Sequence, residues 1–286
     1  MNATPEGGNQ GAWVRRELGK ALKTDSLSLV YQPKMDLKSG DLAGVEALIR
    51  WSHPERGDIS PAEFIPRAEG SKLIDDLTLW VADRAFGQTA AWIEEGFLGT
   101  IAINVSARNL KRVDFPDMLA DLCWRHGLSP KNVVVEITET ASQRIVKLLD
   151  TLTRLRIKGF KLALDDFGIG FSSLSQLQQL PFSELKVDRA FVVRMVEAED
   201  CRIITRAIIN LAHDLGLKVV AEGVETADAL RMLVEFDCDA AQGYHISRPV
   251  AAEAIVPLLR GGWSDIKVRL SNPGSGVKQC GSAIFS

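Results

Sequence analysis

The chain has 286 residues, 46% hydrophobic and 25% charged, with a formal net charge of -3. This is the composition of a soluble globular protein with room for one large α/β domain or two small ones. It gives no support to a nucleic-acid-coating role, and no run approaches the roughly 18 apolar residues of a membrane span.

Residues 1–12 are polar and glycine-rich and lack the apolar core of a secretion signal. They read as a flexible N-terminal lead before a domain over 13–260. The chain reads as cytoplasmic, or as the cytoplasmic part of a larger protein. β-rich runs follow at Ser28–Met35, Ala43–Trp51, Thr100–Ser106, Asn132–Thr138, Lys161–Asp165, Glu184–Asp188, Lys218–Glu222 and Asp239–Gln242. Helical stretches alternate with them at Leu73–Glu94, Phe115–His126, Gln143–Lys158, Asp200–Leu215, Ala227–Phe236 and Ala251–Leu259. Gly96, Gly127, Gly159 and Gly216 follow helical patterns and suit left-handed C-caps. Residues 261–286 contain Asn272-Pro-Gly-Ser-Gly276 and few apolar clusters, so they read as a loosely attached tail. Cys123, Cys201, Cys238 and Cys280 show neither C-x-x-C pairing nor zinc spacing, as expected of scattered thiols in a reducing compartment.

Strands alternating with helices over about 250 residues predict an α/β fold, a modified (β/α)8 TIM-like barrel. The first two runs break the pattern. Only Leu37–Ala43 separates them, too short for a helical crossover, so they form a hairpin. One strand near the N-terminus is therefore antiparallel to the rest.

Most of these runs carry a polar residue toward the C-terminal end: Glu46, Asn104, Glu136, Asp165, Lys186, Glu222 and Gln242. Period-2 alternation places Gly44 with Glu46, Ala102 with Asn104, Ala163 with Asp165, and Ala240 with Gln242 on one face of their strands. Small residues below a polar one fit a barrel interior, and barrel enzymes build their sites at the C-terminal mouth. The opposite faces, such as Val45 with Ala47 and Ile101 with Ile103, are apolar and suit helix packing. One buried Glu or Asn is ordinarily a structural hydrogen-bonding group. Four carboxylates converging on one rim are costly unless paired or bound to metal.

Asp165 and Asp166 sharpen that point, because adjacent carboxylates repel unless a cation lies between them. They share a site only if the strand ends between them and Asp166 lies on the turn. All candidate ligands are hard oxygen donors and no histidine joins them, which favours magnesium or manganese over zinc. Gly168-Ile-Gly-Phe-Ser-Ser173 lacks the third glycine of a dinucleotide loop.

Together these segments resemble the EAL family of cyclic di-GMP phosphodiesterases. The resemblance runs from about Leu29 to Pro249. It includes Tyr31-Gln-Pro33, Glu46-Ala-Leu-Ile-Arg-Trp51, Asn104-Val-Ser106, Glu136-Ile-Thr-Glu139, Asp165-Asp-Phe-Gly-Ile-Gly170, Leu185-Lys-Val-Asp188, Ala221-Glu-Gly-Val-Glu225 and Gln242-Gly-Tyr244. It implies a barrel with one antiparallel strand and two Mg2+ or Mn2+ ions per site. Glu46, Asn104, Glu136 and Asp165 would hold the first ion, and Asp165 would bridge to the second, which Asp166 also binds. Two metals about 3.5–4 Å apart can activate a water and stabilise phosphate oxygens during in-line displacement.

By the same resemblance, Lys186 would orient that water or offset negative charge. Glu222 would be the general base or a water-mediated metal ligand. Arg50 would contact a substrate phosphate, Gln32 and Leu48 would lie near guanine, and Gln242 would complete the polar shell. Glu139 would fix the loop after Asp166, a loop tied to dimerisation and metal affinity. The implied product is linear pGpG. Lys72 departs from the glycine usual in the family. The implied partners are cyclic di-GMP and a second copy of the chain, with no nucleic-acid polymer and no membrane, and with regulatory domains outside this chain. A non-catalytic cyclic di-GMP receptor is the alternative. A barrel lyase that stabilises an enolate is a third reading.

Overall fold

The computed structural model describes residues 6–138, 148–168 and 174–259. Helix α1 (Glu6–Ala21) comes first and packs outside the barrel. It corrects the expectation of a flexible lead over 1–12, since residues 6–12 are helical. The strands are β1 (Leu27–Asp36), β2 (Leu42–His53), β3 (Gly57–Ile59), β4 (Thr100–Asn104), β5 (Val133–Thr138), β6 (Lys161–Phe167), β7 (Glu184–Val187), β8 (Lys218–Ala221) and β9 (Ala240–Ala241). Between and after them run α2 (Pro61–Glu69), α3 (Leu73–Glu94), α4 (Phe115–Arg125), α5 (Leu149–Ile157), α6 (Leu174–Gln179), α7 (Arg189–Val192), α8 (Glu199–Asp214), α9 (Ala227–Glu235) and α10 (Ile255–Leu259). No helix among the described residues is long and apolar enough to cross a membrane.

The sheet order is β1-β9-β8-β7-β6-β5-β4-β2, and the β1–β2 pairing closes it into an eight-stranded barrel, with β3 hooked onto the end of β2. β1 is antiparallel to both of its neighbours and the other barrel strands are parallel. The hairpin expectation therefore holds. Asp36 closes that turn by accepting hydrogen bonds at Oδ1 from the N–H groups of Lys38 and Ser39 (3.0 and 2.8 Å).

Two apolar layers follow from strand alternation. The larger lies between barrel and helices and includes Val45, Ile101, Val135, Leu164 and Leu185. The smaller is the barrel floor, Ala102, Val134 and Ala163, wholly buried beneath the mouth. Small side chains there leave the axis free for the polar groups above. The four glycines expected as caps have left-handed backbones, φ 97° at Gly96, 64° at Gly127, 99° at Gly159 and 73° at Gly216.

Local chemistry also places two elements beside the mouth. The Asp188 carboxylate accepts from the Ala190 N–H (2.7 Å) and starts α7. Thr226 Oγ1 accepts from the Ala229 N–H (3.1 Å) and starts α9. Gly243, just past β9, permits a backbone contact no other residue could, because a Cβ there would lie 2.2 Å from the Val224 nitrogen. That contact fixes the chain next to Gln242.

α1 is held by aromatic packing rather than by its own propensity, which its glycines weaken. Trp13 stacks on Trp51 with ring centroids 6.4 Å apart, and the Arg56 guanidinium lies 3.7 Å above the Trp13 ring.

Candidate active site

Strand direction sets the site. On the parallel strands, Glu46, Asn104, Glu136, Asp165 and Lys186 stand in the inward register at the C-terminal ends. Glu222 directly follows β8 and Gln242 directly follows β9. From the reversed strand β1, Gln32 pairs with Glu46 and Lys34 pairs with Gly44. Lys34 thus enters one layer deeper than Gln32.

Lys186 is the hub. It is 1% exposed. Its ammonium lies 2.6 Å from Glu222 Oε1, 2.8 Å from Glu136 Oε2, 3.2 Å from Asp165 Oδ1 and 3.5 Å from Glu46 Oε2. Lys34 Nζ lies 2.5 Å from the other Glu136 oxygen. Glu46 accepts from the Asn104 and Gln242 amides, each at 2.8 Å. Gln242 also donates to Gln32 Oε1 (3.0 Å), and Gln32 donates to the Ser247 carbonyl (3.3 Å).

The aspartate doublet is opened by an irregularity in β6. Pairing with β7 shifts between Leu164 and Phe167. Asp166 has φ 58°, a left-handed backbone that non-glycine residues seldom adopt. Its N–H donates to Asp165 Oδ1 at 2.9 Å. The strand therefore does not end between the two residues, as expected, but runs on to Phe167; a turn within it puts both carboxylates on one side, where strict alternation would part them.

The charge balance is tight. Burial pushes Glu46 up, but Lys186, Lys34 and the two amide donors outweigh it and hold the carboxyl at about 2. Burial and repulsion from Glu46 raise Glu136 to about 6 against the pull of both lysines. Burial, then Asp165 and Asp188, raise Asp166 to about 6. Burial raises Glu222 to about 8, with Lys186 opposing and Asp165 and Glu46 adding to it. Burial lowers Lys186, yet the surrounding carboxylates carry it well above its ordinary value.

A pH trend follows. Glu136, Asp166 and Glu222 have folded-state values above their unfolded ones, so the native state holds extra protons between pH about 4.5 and about 8. Stability of the metal-free protein is lost as pH rises through that window. Glu46 is ionised in both states above about pH 5.5 and adds no slope there. Thermal melts in chelator should give a lower Tm at pH 8 than at pH 5.5, with added Mn2+ reducing the difference. A flat or rising Tm in chelator would contradict this charge assignment.

The donor set suits a hard divalent cation. Asp165, Asp166 and Glu222 each offer an oxygen within 4.8 Å of the others. Buried Gln242 Oε1 has no hydrogen-bond partner among the described residues. Beside the mouth a cleft of about 1430 Å³ runs from Asn104 and Glu136 past Leu48 and Arg50 to Ser106 and Arg108. Arg50 is half-buried, and its Nη1 donates to the carbonyl of Ile49 (2.8 Å).

The candidate residues Gln32, Glu46, Asn104, Glu136, Asp165, Asp166, Lys186, Glu222 and Gln242 therefore meet at one mouth, with Leu48 and Arg50 along its cleft. Glu139, residues 169–173 and residues 261–286, expected as a tail, lie outside the described residues. Two participants were absent from the sequence reading. Lys34 was detectable as the residue two beyond Gln32 on the same strand. Asp188 ends a quoted motif, and it raises Asp166 by charge and a side-chain hydrogen bond.

A family model described as EAL domain matches residues 15–249. The chain is 39% identical over 242 residues to the bifunctional diguanylate cyclase/cyclic di-GMP phosphodiesterase MucR of Pseudomonas aeruginosa, covering 84% of this chain and 35% of that protein. It is 38% identical over 245 residues to the cyclic di-GMP phosphodiesterase PA2567 of the same species, covering 85% of this chain and 42% of that protein. The solved PaMucR phosphodiesterase in complex with c-di-GMP matches it with a TM-score of 0.81 at 38% identity, covering 85% of this chain and 99% of that one. The chain spans less than half the length of the two curated relatives.

Proposed function

The chain belongs to the EAL domain family, and on that premise we propose that it hydrolyses cyclic di-GMP to linear pGpG in a two-metal site. The observation that carries the reading is the convergence of Glu46, Glu136, Asp165 and Glu222 on the buried ammonium of Lys186, with Lys34 as a second ammonium on Glu136. Four carboxylates around two buried cations are costly for a purely structural core, and they suit a site that takes more positive charge.

Glu46, Asn104, Glu136, Asp165 and Asp166 would hold two ions, Mg2+ or Mn2+. The ions would supply charge neutralisation at the phosphate and lower the pKa of the attacking water. Glu222, 2.6 Å from Lys186, would accept the proton of that water in its ionised form, which the positive charge of bound ions would favour. The bond from phosphorus to the 3′ oxygen breaks, that oxygen takes up a proton from solvent, and a 5′-phosphate remains on pGpG. Lys186 holds Glu222 in place and offsets charge that builds on the phosphoryl oxygens. Arg50 can pair bidentately with a phosphate at the cleft, Gln32 and Leu48 would lie near guanine, and Gln242 would complete the polar shell through its bond to Glu46. The relatives named for cyclic di-GMP phosphodiesterase activity support this reading.

Purified protein with Mg2+ or Mn2+ should convert cyclic di-GMP to pGpG on chromatography, and chelator should stop it. Absence of turnover with metal present would sink the hydrolase reading. Binding by calorimetry without turnover would support the receptor alternative. We also propose that the protein is cytoplasmic and forms a homodimer through the region after Asp166, with Glu139 fixing that region. Sedimentation that gives only monomer at micromolar concentration with metal would count against the dimer.

A further inference from the structure

The second buried lysine stands out in the interior. Lys34 is 4% exposed, with its ammonium 2.5 Å from Glu136 Oε1. Glu136 Oε2 already accepts from Lys186 at 2.8 Å. The two oxygens of one candidate metal ligand are thus each held by a different ammonium group. The two ammonium groups differ in what they can do. Lys186 is shared among four carboxylates and reaches the mouth. Lys34 comes from the layer below, beside Gly44, and its closest carboxylate partner is Glu136. The reversed direction of β1 makes this possible, because Gln32 and Lys34 enter the barrel from mouth to floor.

We propose that Lys34 is a positioning residue that pins one oxygen of Glu136 and by its charge weakens the site's hold on divalent cations. The proposal rests on reading the mouth as a metal site. A fixed positive charge a few ångströms from a divalent ion opposes its binding strongly in a water-poor interior. The same ammonium keeps Glu136 paired when no cation is present, where an unpaired buried carboxylate would be costly. The chain would therefore exchange its metal more readily than a sequence with a neutral residue at this position. Its activity would then follow the supply of free metal.

The test uses Mn2+ alone, titrated by calorimetry into metal-free protein without substrate. Lys34→Met and Lys34→Gln should bind Mn2+ about tenfold tighter than wild type, and Lys34→Arg, which keeps the charge, should stay within about threefold of wild type. Lys34→Gln keeps a hydrogen-bond donor and serves if Lys34→Met does not fold. Folded neutral variants that bind Mn2+ with unchanged or weaker affinity would overturn the proposal while leaving the metal site intact. A wild type that binds no Mn2+ would overturn both. A merely structural lysine would lower Tm on substitution without tightening metal binding.

Discussion

Replacing Asp165 with asparagine is expected to lower kcat/KM for cyclic di-GMP by about a thousandfold or more, equivalent to about 4 kcal/mol of transition-state stabilisation. The side chain is nearly isosteric and can still accept the Asp166 N–H bond that Asp165 Oδ1 receives at 2.9 Å. The turn should therefore survive. What is lost is a negative charge proposed to hold the cations, and a neutral amide oxygen is a poor substitute for a carboxylate in a hard-ion site. Asp165 also lies 3.2 Å from Lys186, but that ammonium keeps three other carboxylates close by. Tm should consequently stay within a few degrees of wild type. Steady-state rates under saturating Mn2+, read beside a thermal melt, check both halves. A loss smaller than about tenfold would remove Asp165 from the reacting centre.

The second large effect is on stability. Lys186→Met removes the one positive group common to Glu46, Glu136, Asp165 and Glu222. Removing one member of a buried ion cluster costs about 3–5 kcal/mol, because the remaining charges lose their partner. For a domain of this size that corresponds to a fall in Tm of roughly 6–20 °C for the metal-free protein. The loss should be larger at pH 8 than at pH 5.5, since protonation of Glu222 and Glu136 relieves the repulsion. Added Mn2+ should restore much of it by supplying positive charge to the same oxygens. Calorimetric melts at both pH values, with and without Mn2+, give the result. A metal-free Lys186→Met protein as stable as wild type at pH 8 would show that the cluster is balanced in some other way.

Much of this arrangement was legible before the fold was known, and for definite reasons. The parallel strands betray their inward face by pairing a small residue with a polar one, as in Ala102 with Asn104 and Ala163 with Asp165. The short Leu37–Ala43 link forced a hairpin and hence a reversed strand. Lys34 is harder to see in the sequence, because β1 runs against its neighbours and carries its inward residues, Gln32 and Lys34, from mouth to floor on either side of Pro33. The turn that rotates Asp166 into the site needs a left-handed backbone, which no local pattern in Leu164-Asp-Asp-Phe167 announces. α1 was missed for a different reason. Its first residues, Glu6-Gly-Gly-Asn-Gln-Gly, disfavour a helix, and the contacts that hold it, Trp13 on Trp51 and Arg56 on Trp13, are tertiary. The helix over Pro61–Glu69 carries Pro66 inside it, which a propensity reading penalises.

The reversal of β1 also has a practical side. In a barrel of parallel strands, each connection leaving the C-terminal end of a strand opens at the catalytic face. Turning one strand around moves the β1–β2 connection to the opposite end, where β2 begins at Leu42. Lys38 and Ser39 are exposed there, in a turn held by the carboxylate of Asp36. A fluorophore or affinity tag attached at Ser39 would project from the base of the molecule, leaving the mouth with its carboxylate cluster clear for surface immobilisation and for single-molecule observation.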